Sequence, residues 1–318
     1  MAETLTNIEI TPDAFVLDAH LVRTFHSCEQ KYNYFELQHL IPAQPAVAPS
    51  FGIAMHEGVA GYRSALKNGL SFNDAANVGL IVLERAYAKH MPEHMHSEVM
   101  QDDRRSITNA KRLFIGLCEY LEPQSIIYEQ IEIPFAILIG RVGGRDIIYT
   151  GIMDAILTMQ GRTYVNDLKG SAWSINQNWL ESWRMDQGLI GYVVATRTLL
   201  GLDIYQALVH AMWIQAEPKS GRGKPLNEYF HVQPLSWTQR QLDEWQDSTL
   251  ESVDRIFYAV AKGKFTMDFN DACKAYGGCP YRPLCWEDSG VRPHLIKNQY
   301  ARALWSPLED ERLVKLEN

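Results

Sequence analysis

Three segments in the middle of the chain limit the fold more than any other feature. Residues 125–139, 146–159 and 163–168 are rich in Ile, Val, Tyr and Thr, the residue types that favour β-strands. Gly143-Gly144 and Gln160-Gly161 separate them and have the residue types of tight hairpin turns. The sequence therefore predicts two consecutive hairpins that share their middle strand.

Segments with helical spacing of apolar residues surround this block. Ser50 is expected to cap one helix, and Ser71 with Asp74 to cap the next. The helices are predicted at 18–38, 50–67, 71–90, 103–121, 179–200 and 236–263, and two further strands at 203–215 and 227–234. This order predicts an α/β fold with a mixed sheet flanked by helices.

The same patterns divide the chain into four regions. We expect an irregular N-terminus at 1–17, a helical part at 18–122, a strand-rich core at 123–265 and a cysteine-rich tail at 266–318.

Composition narrows the classes of protein that fit. Of 318 residues, 46% are hydrophobic and 21% are charged, as in a folded globular protein. The formal net charge of −8 argues against a broad basic surface for nucleic acid, although it leaves room for a local basic groove. The sequence has no apolar run of 18 residues and its N-terminus lacks a signal-peptide pattern, so the expected location is the cytoplasm.

Asp154, Asp167 and Lys169 stand in otherwise apolar strand segments. Side chains alternate along a strand, so Asp167 and Lys169 point to one face, and a short turn can bring Asp154 beside Asp167. Two carboxylates beside a lysine suit Mg²⁺ or Mn²⁺, which can activate water for attack on a phosphodiester. The alternative is a strand end with solvated charges, but an unpaired charge in an apolar run is costly.

An ordered set of motifs resembles the RecB-like branch of the PD-(D/E)XK nucleases, over roughly residues 20–290. The matching segments are Gly52-Ile-Ala-Met-His56, Gly151-Ile-Met-Asp154, Asp167-Leu-Lys169 and Gln187. The resemblance implies a PD-(D/E)XK core and a metal-dependent deoxyribonuclease, with His56, Asp154 and Asp167 as metal ligands and Asp154, Asp167, Lys169 and Gln187 as catalytic residues.

The resemblance also indicates how such an enzyme would act. It implies an exonuclease on DNA that is single-stranded or has ends, in recombination, repair or phage or CRISPR DNA processing, with a possible helicase or recombination partner. The alternative from another class is a non-catalytic DNA-binding or scaffold protein that keeps the fold.

Two of the resembled positions have alternatives of their own. His56 has apolar neighbours and is either a metal ligand or a core residue. In the family pattern a tyrosine follows the glutamine after four positions, where this chain has Gly191, and Tyr192 comes one position later. On a helix, position i+4 lies about 40° from Gln187 and position i+5 about 140° away, so Tyr192 is not expected to share the role of Gln187.

Of the five cysteines, Cys118 is interpreted separately from the other four. Cys118 lies on an apolar helix stripe and is expected in the core. Cys273, Cys279 and Cys285 stand close together in the tail, and a closed thiolate site would need a fourth ligand, for which Cys28 is available. The resembled branch, which includes AddB-type and CRISPR-associated RecB-like exonucleases, holds a [4Fe–4S] cluster with one cysteine before the core and three after it. Zinc is the rival metal, and unligated thiols are the third possibility.

A basic loop is the candidate for DNA contact. Lys219, Arg222 and Lys224 could bind phosphates, as could Arg104, Arg105, Lys111 and Arg112 on the helix at 103–121. The alternative for each is an ordinary solvated charge.

Overall fold

The computed structural model describes residues 5–6, 8, 10–44, 46–91, 103–218, 223–274, 278–306 and 313–315. Its residues form two compact units, and the chain passes between them more than once. Unit 1 comprises Ala46–Ile133 and Ile152–Gln239, and unit 2 comprises Thr4–Pro45, Pro134–Gly151 and Arg240–Asn318.

The helices of the described ranges begin near the predicted positions in most cases. In chain order they are α1 (Ala19–Ser27), α2 (Glu29–Tyr32), α3 (Val47–Lys67), α4 (Phe72–His90), α5 (Ile107–Leu121), α6 (Gln177–Ser182), α7 (Gln187–Leu200), α8 (Gln239–Lys262), α9 (Arg282–Trp286) and α10 (Arg292–Gln299). Short 3₁₀ turns and a π-helical turn at Asn33–Leu37 connect some of them.

The strands confirm the predicted mixed α/β fold class. They are β1 (Leu5–Thr6), β2 (Phe15–Leu17), β3 (Leu40–Pro42), β4 (Ile127–Val142), β5 (Arg145–Met159), β6 (Arg162–Ser171), β7 (Gln206–Trp213), β8 (Phe230–Ser236), β9 (Tyr300–Trp305) and β10 (Leu313–Lys315). The main sheet has the order β1-β4-β5-β6-β7-β8, and β2 also pairs with β5.

Both predicted hairpin turns form. Gln160 and Gly161 take positive φ values of 51° and 73°, and Gly143 and Gly144 take 57° and 80°. Positive φ at both central positions gives a turn whose twist matches that of the flanking strands. Beyond β6 the sheet turns parallel, because α6 and α7 cross over before β7, and β8 then returns antiparallel.

Unit 1 has its main apolar core around α3, α4 and α5. Gly79 on α4 allows α3 to approach closely, since a Cβ there would lie 2.9 Å from the Gly58 carbonyl oxygen and 2.4 Å from the Phe114 ring. Any larger residue at Gly79 would push these helices apart. Ser71 accepts a hydrogen bond from the Asp74 N–H at 3.2 Å, as the predicted cap for α4 requires.

Unit 2 has smaller apolar clusters. One contains Phe25, Tyr32, Ile256 and Ala259, from α1, α2 and α8. Another includes Tyr34, Tyr281 and Tyr300, and the Tyr281 hydroxyl donates to the Leu40 carbonyl at 2.6 Å.

Several predicted boundaries were wrong. The helix expected at 18–38 breaks at Cys28, whose backbone is extended with φ −174° and ψ 122°. The helix expected to start at Ser50 starts at Val47, and Pro49 lies in its first turn, where its missing N–H costs no hydrogen bond.

Two other segments also differ from the prediction, one because its helix is interrupted and the other because it forms helices and strands. The helix expected at 179–200 is interrupted by a 3₁₀ turn at Trp183–Met185, because Asp186 caps a new helix by accepting from the Leu189 N–H at 2.9 Å. The tail, which has little periodicity, nevertheless forms α9, α10 and β9.

None of the helices in the described ranges combines the length and the apolar character that a membrane span requires.

Candidate active site

The two aspartates of the central motif lie opposite each other on the β5–β6 hairpin of unit 1. Ala155 pairs with Asn166 in this antiparallel ladder, so the next position places Asp154 opposite Asp167. The ladder ends there, and the Leu168 N–H donates to Oδ2 of Asp154 at 2.7 Å. Asp154 is 8% exposed and Asp167 is 4% exposed. The hairpin thus holds two buried carboxylates together, as the sequence predicts.

Lys169 lies on the same face of β6 as Asp167. Its Nζ is 2.7 Å from Oδ2 of Asp167 and 4.7 Å from the centre of the Trp183 ring. A lysine and a carboxylate two residues apart on a strand can meet in this way because alternate side chains share a face.

His56 comes to the same place from α3. Its Nδ1 is 3.3 Å from Oδ2 of Asp154, and its side chain is 38% exposed. A histidine packed into the core would be enclosed by apolar groups, whereas His56 is partly open and faces a carboxylate. The structure thus brings His56 and Asp154 together, and the metal-ligand role of His56 stays a prediction.

Burial and ion pairing shift the pKa values of the two carboxyl groups in opposite directions. Burial raises the pKa of Asp167 to about 6, although Lys169 opposes the shift. Burial also acts to raise the pKa of Asp154, but His56, Arg63 and the Leu168 N–H outweigh it and hold that pKa below its usual range. Asp154 is therefore the firmly ionised member of the pair.

The two nitrogen groups of the site have raised pKa values. Burial lowers the pKa of His56, but the charge and hydrogen bond of Asp154 raise it by a larger amount, so the net shift is upward. For Lys169, burial again lowers the pKa, and Asp167 and Asp186 outweigh it. Lys169 is therefore a cation at neutral pH.

Gln187 is the first residue of α7 and directly follows the capping residue Asp186. Asp186 is one of the charges that raise the pKa of Lys169. Gly191, at the family's tyrosine position, is buried in α7. The role of Tyr192 stays a prediction.

Among the described residues, no three His, Cys, Asp or Glu side chains are arranged to hold a metal ion as they stand. At the active site, His56 faces Asp154 and Lys169 faces Asp167. The donor atoms point toward these nitrogens, so a bound cation would require small rotations of the side chains.

The predicted DNA-contact loop can be placed only in part. Lys219 and Arg222 lie outside the described residues. Lys224 is exposed, and its Nζ is 3.8 Å from the Glu228 carboxylate. On α5, Arg112 donates to the Gln215 carbonyl at 2.6 Å, which gives it a structural role rather than a free surface charge.

Sequence reasoning missed Trp183, Asp186 and Arg63. Asp186 acts on Lys169, and its signal was its place as an acidic cap directly before Gln187. Trp183 contacts Lys169 and Arg63 is 1% exposed, and neither has a local motif.

The structure separates Cys118 from the other four cysteines. Cys118 is 1% exposed within the apolar core of unit 1, which confirms its predicted place. In unit 2, one cavity is lined by Cys28, Cys273, Cys279 and Cys285. Burial and the other three thiols raise the pKa of Cys285 to about 11. The four sulfur groups are thus close enough to influence one another.

Comparison with known proteins identifies the class. A family model described as the PD-(D/E)XK nuclease superfamily matches residues 19–286. The chain belongs to the PD-(D/E)XK nuclease superfamily.

Among solved structures, one match is the 2.19 Å crystal structure of a candidate exonuclease from Eubacterium rectale. It is 12% identical, with a TM-score of 0.40, and the match covers 84% of this chain and 92% of that chain. No curated protein matches the chain.

Proposed function

We propose that the protein is a metal-dependent DNA nuclease of the RecB-like branch, and that it is an exonuclease acting on DNA ends. The observation that carries the proposal is the meeting of Asp154, Asp167, Lys169 and His56 at the end of the β5–β6 ladder. Two buried carboxylates with a lysine and an imidazole match what phosphodiester hydrolysis with a divalent cation requires.

The residues present fit a divalent cation. Nucleases of this superfamily typically use Mg²⁺ or Mn²⁺. Asp154 and Asp167 offer the oxygen ligands that both ions prefer, and the raised pKa of Asp167 indicates a buried charge that a cation would stabilise. His56 would add an imidazole ligand, which suits Mn²⁺ better than Mg²⁺. When bound, the ion supplies polarisation of the phosphodiester and a lowered pKa of water.

The protein's own groups would do the rest. The Lys169 ammonium can donate a hydrogen bond to the attacking water and offset the negative charge that develops on the phosphate. The Trp183 ring, 4.7 Å from Nζ, and the Asp167 carboxylate fix the position of that ammonium. Gln187 would help to position the substrate from the start of α7.

Exposed apolar side chains on the segment between Lys169 and Gln187 support an unpaired DNA strand as substrate. Trp173 is 79% exposed and Met185 is 85% exposed. The Ser171 hydroxyl fixes the backbone at Trp173 by accepting from its N–H at 3.1 Å. An exposed aromatic ring such as that of Trp173, four residues after Lys169, can stack on unpaired bases, whereas a paired duplex hides those faces.

We also propose that Cys28, Cys273, Cys279 and Cys285 hold a [4Fe–4S] cluster, with Zn²⁺ as the rival, because all four line the thiol cavity of unit 2. As they stand, these thiols are not arranged to hold a metal ion, so binding would require them to move. In either case the metal would be structural, because it would join α1–α2 to the tail.

One digestion experiment tests the nuclease proposal. The protein is incubated with three DNA substrates, in Mg²⁺, Mn²⁺ or EDTA. They are end-labelled linear single-stranded DNA, end-labelled linear double-stranded DNA and circular single-stranded DNA, which has no ends. We expect metal-dependent shortening of the linear strands from an end and survival of the circle. Cleavage of the circle would show an endonuclease, and binding without cleavage under all conditions would favour the scaffold alternative.

A further inference from the structure

Among the described residues, Arg63 is a buried cation without a carboxylate partner. Its side chain is 1% exposed, and none of the ion pairs among the described residues includes it. A buried charge that lacks an opposite charge in contact is expensive, so its presence needs a physical reason.

Neutral groups hold Arg63 in place. Its Nη2 donates to Oδ1 of Asn166 at 2.5 Å and lies 3.4 Å from Nδ1 of His210. Its guanidinium carbon is 5.7 Å from the centre of the Tyr128 ring, and its Nε is buried without a hydrogen-bond partner. Burial and the Arg63 charge hold the pKa of His210 well below its usual range, so that imidazole is neutral. These contacts orient the guanidinium but do not neutralise it.

The aspartate pair of the active site lies beside the residues that hold Arg63. Asn166 directly precedes Asp167, and His210 pairs across the sheet with Leu168, whose N–H binds Asp154. His56 and Arg63 are seven residues apart on α3, about two turns, so both face the sheet from one side of the helix. Arg63 is also among the charges that lower the pKa of Asp154.

We propose that Arg63 is the fixed counter-charge of Asp154, which, given the proposed nuclease function, weakens the attraction of the site for a divalent cation. The Arg63 charge offsets part of the negative charge of the aspartate pair before a metal binds. Removing the Arg63 charge would strengthen the attraction of the site for cations, since attraction between charges is large in a poorly solvated interior.

The first test measures the binding of Mn²⁺ to the full chain by calorimetry at pH 8. Arg63→Met should bind Mn²⁺ on the order of tenfold more tightly than the wild type does. Arg63→Lys keeps the charge and should bind as the wild type does. A folded Arg63→Met variant with unchanged affinity would overturn the proposal.

A second measurement covers the case in which Arg63→Met folds poorly, and it needs no metal. The stability of Arg63→Met, Asp154→Asn and the double variant is compared in EDTA at pH 8. Asparagine can still accept the Leu168 N–H, so this change removes charge and little else. A counter-charge role predicts that Asp154→Asn relieves much of the loss caused by Arg63→Met. Additive losses, or a double variant no better than Arg63→Met, would show that Arg63 only supports packing.

The two proposals can fail separately. A wild-type protein that neither binds Mn²⁺ nor cuts DNA would remove the nuclease function, while the metal-free comparison still decides whether Arg63 balances Asp154.

Discussion

The backbone N–H of Leu168 donates a 2.7 Å hydrogen bond to the side chain of Asp154. The carboxylate thereby takes the place of a backbone acceptor at the point where the ladder between β5 and β6 ends. This bond fixes Asp154 beside Asp167, and it determines how a variant at Asp154 must be designed.

The active centre is tested by removing charge at Asp154 or Lys169. Asp154→Asn keeps an acceptor for Leu168 but loses the negative charge, and Lys169→Met removes the ammonium. Each should lower the rate of DNA cleavage by roughly 10²-fold or more, because charge stabilisation in a buried site is lost. Cleavage is measured on labelled DNA, with melting temperature as the fold control. Glu181→Gln, an exposed carboxylate paired with Arg184, should have little effect. Wild-type rates in the two site variants would remove the assignment.

His56 is tested against a histidine elsewhere in unit 1. His56→Ala should weaken Mn²⁺ binding and cleavage, with little change in melting temperature, because the side chain is 38% exposed and faces Asp154. His90 makes a comparable contact, 2.8 Å from Glu57, so His90→Ala is the matched control and should bind Mn²⁺ normally. A large loss of melting temperature with unchanged Mn²⁺ titration would instead support the core interpretation of His56.

The pH dependence follows from Asp167, whose pKa is raised to about 6. In the metal-free protein this carboxyl binds its proton more tightly when folded, so its contribution to stability is present at low pH and is lost as pH rises toward 6. A cation needs the ionised form and competes with that proton. The raised pKa of His56 acts in the same direction.

We therefore expect Mn²⁺ to raise the melting temperature clearly at pH 8 and only slightly at pH 5. Calorimetric titration in buffers of different ionisation enthalpy should show proton release on Mn²⁺ binding below about pH 6. Asp167→Asn should show little stabilisation by Mn²⁺ at either pH. Equal Mn²⁺ affinity at pH 5 and pH 8 would contradict the assignment of Asp167 as a ligand.

Because cysteines far apart in sequence line the thiol cavity, we expect their substitutions to reduce stability to a similar extent. Cys28→Ser should cost as much stability as Cys285→Ser, because a metal joining them closes a long loop, an effect on the order of a few kcal/mol by analogy with cross-links. Cys118→Ser should leave the metal in place and cause only a packing loss. Elemental analysis of protein purified without oxygen identifies the metal. Four irons per chain fit the cluster, one zinc fits the rival, and neither metal in folded, active protein would rule out both.

The local parts of the fold and site were the predictable ones. The Gln160-Gly161 turn predicted that the two strands are hairpin neighbours and that Asp154 can lie beside Asp167, and the register of β5 and β6 places the two aspartates opposite each other. Alternation along β6 likewise predicted that Lys169 meets Asp167. These relationships depend only on strand geometry and a short turn, so they can be read from neighbouring residues.

The parts that failed depend on contacts between distant residues or on a single backbone angle. The apolar periodicity continues through Cys28, so it could not predict that the Cys28 backbone is extended and that the helix ends there. Trp183 and Arg63 have no local motif, and their importance arises only when α3 and the 3₁₀ turn pack near β6. Charge pairing across the fold is the least visible property of a sequence.

The position of both aspartates on one hairpin has a consequence for the order of folding. A hairpin with a two-residue turn brings its strands together within microseconds, because little chain entropy is lost in closing it. The thiol cavity instead needs Cys28 to meet residues from the other end of the chain. A newly synthesised chain would therefore bring Asp154 and Asp167 together before Cys273, Cys279 and Cys285 have been synthesised. Loss of these C-terminal thiols should slow the folding of the whole chain without changing the geometry of the active site.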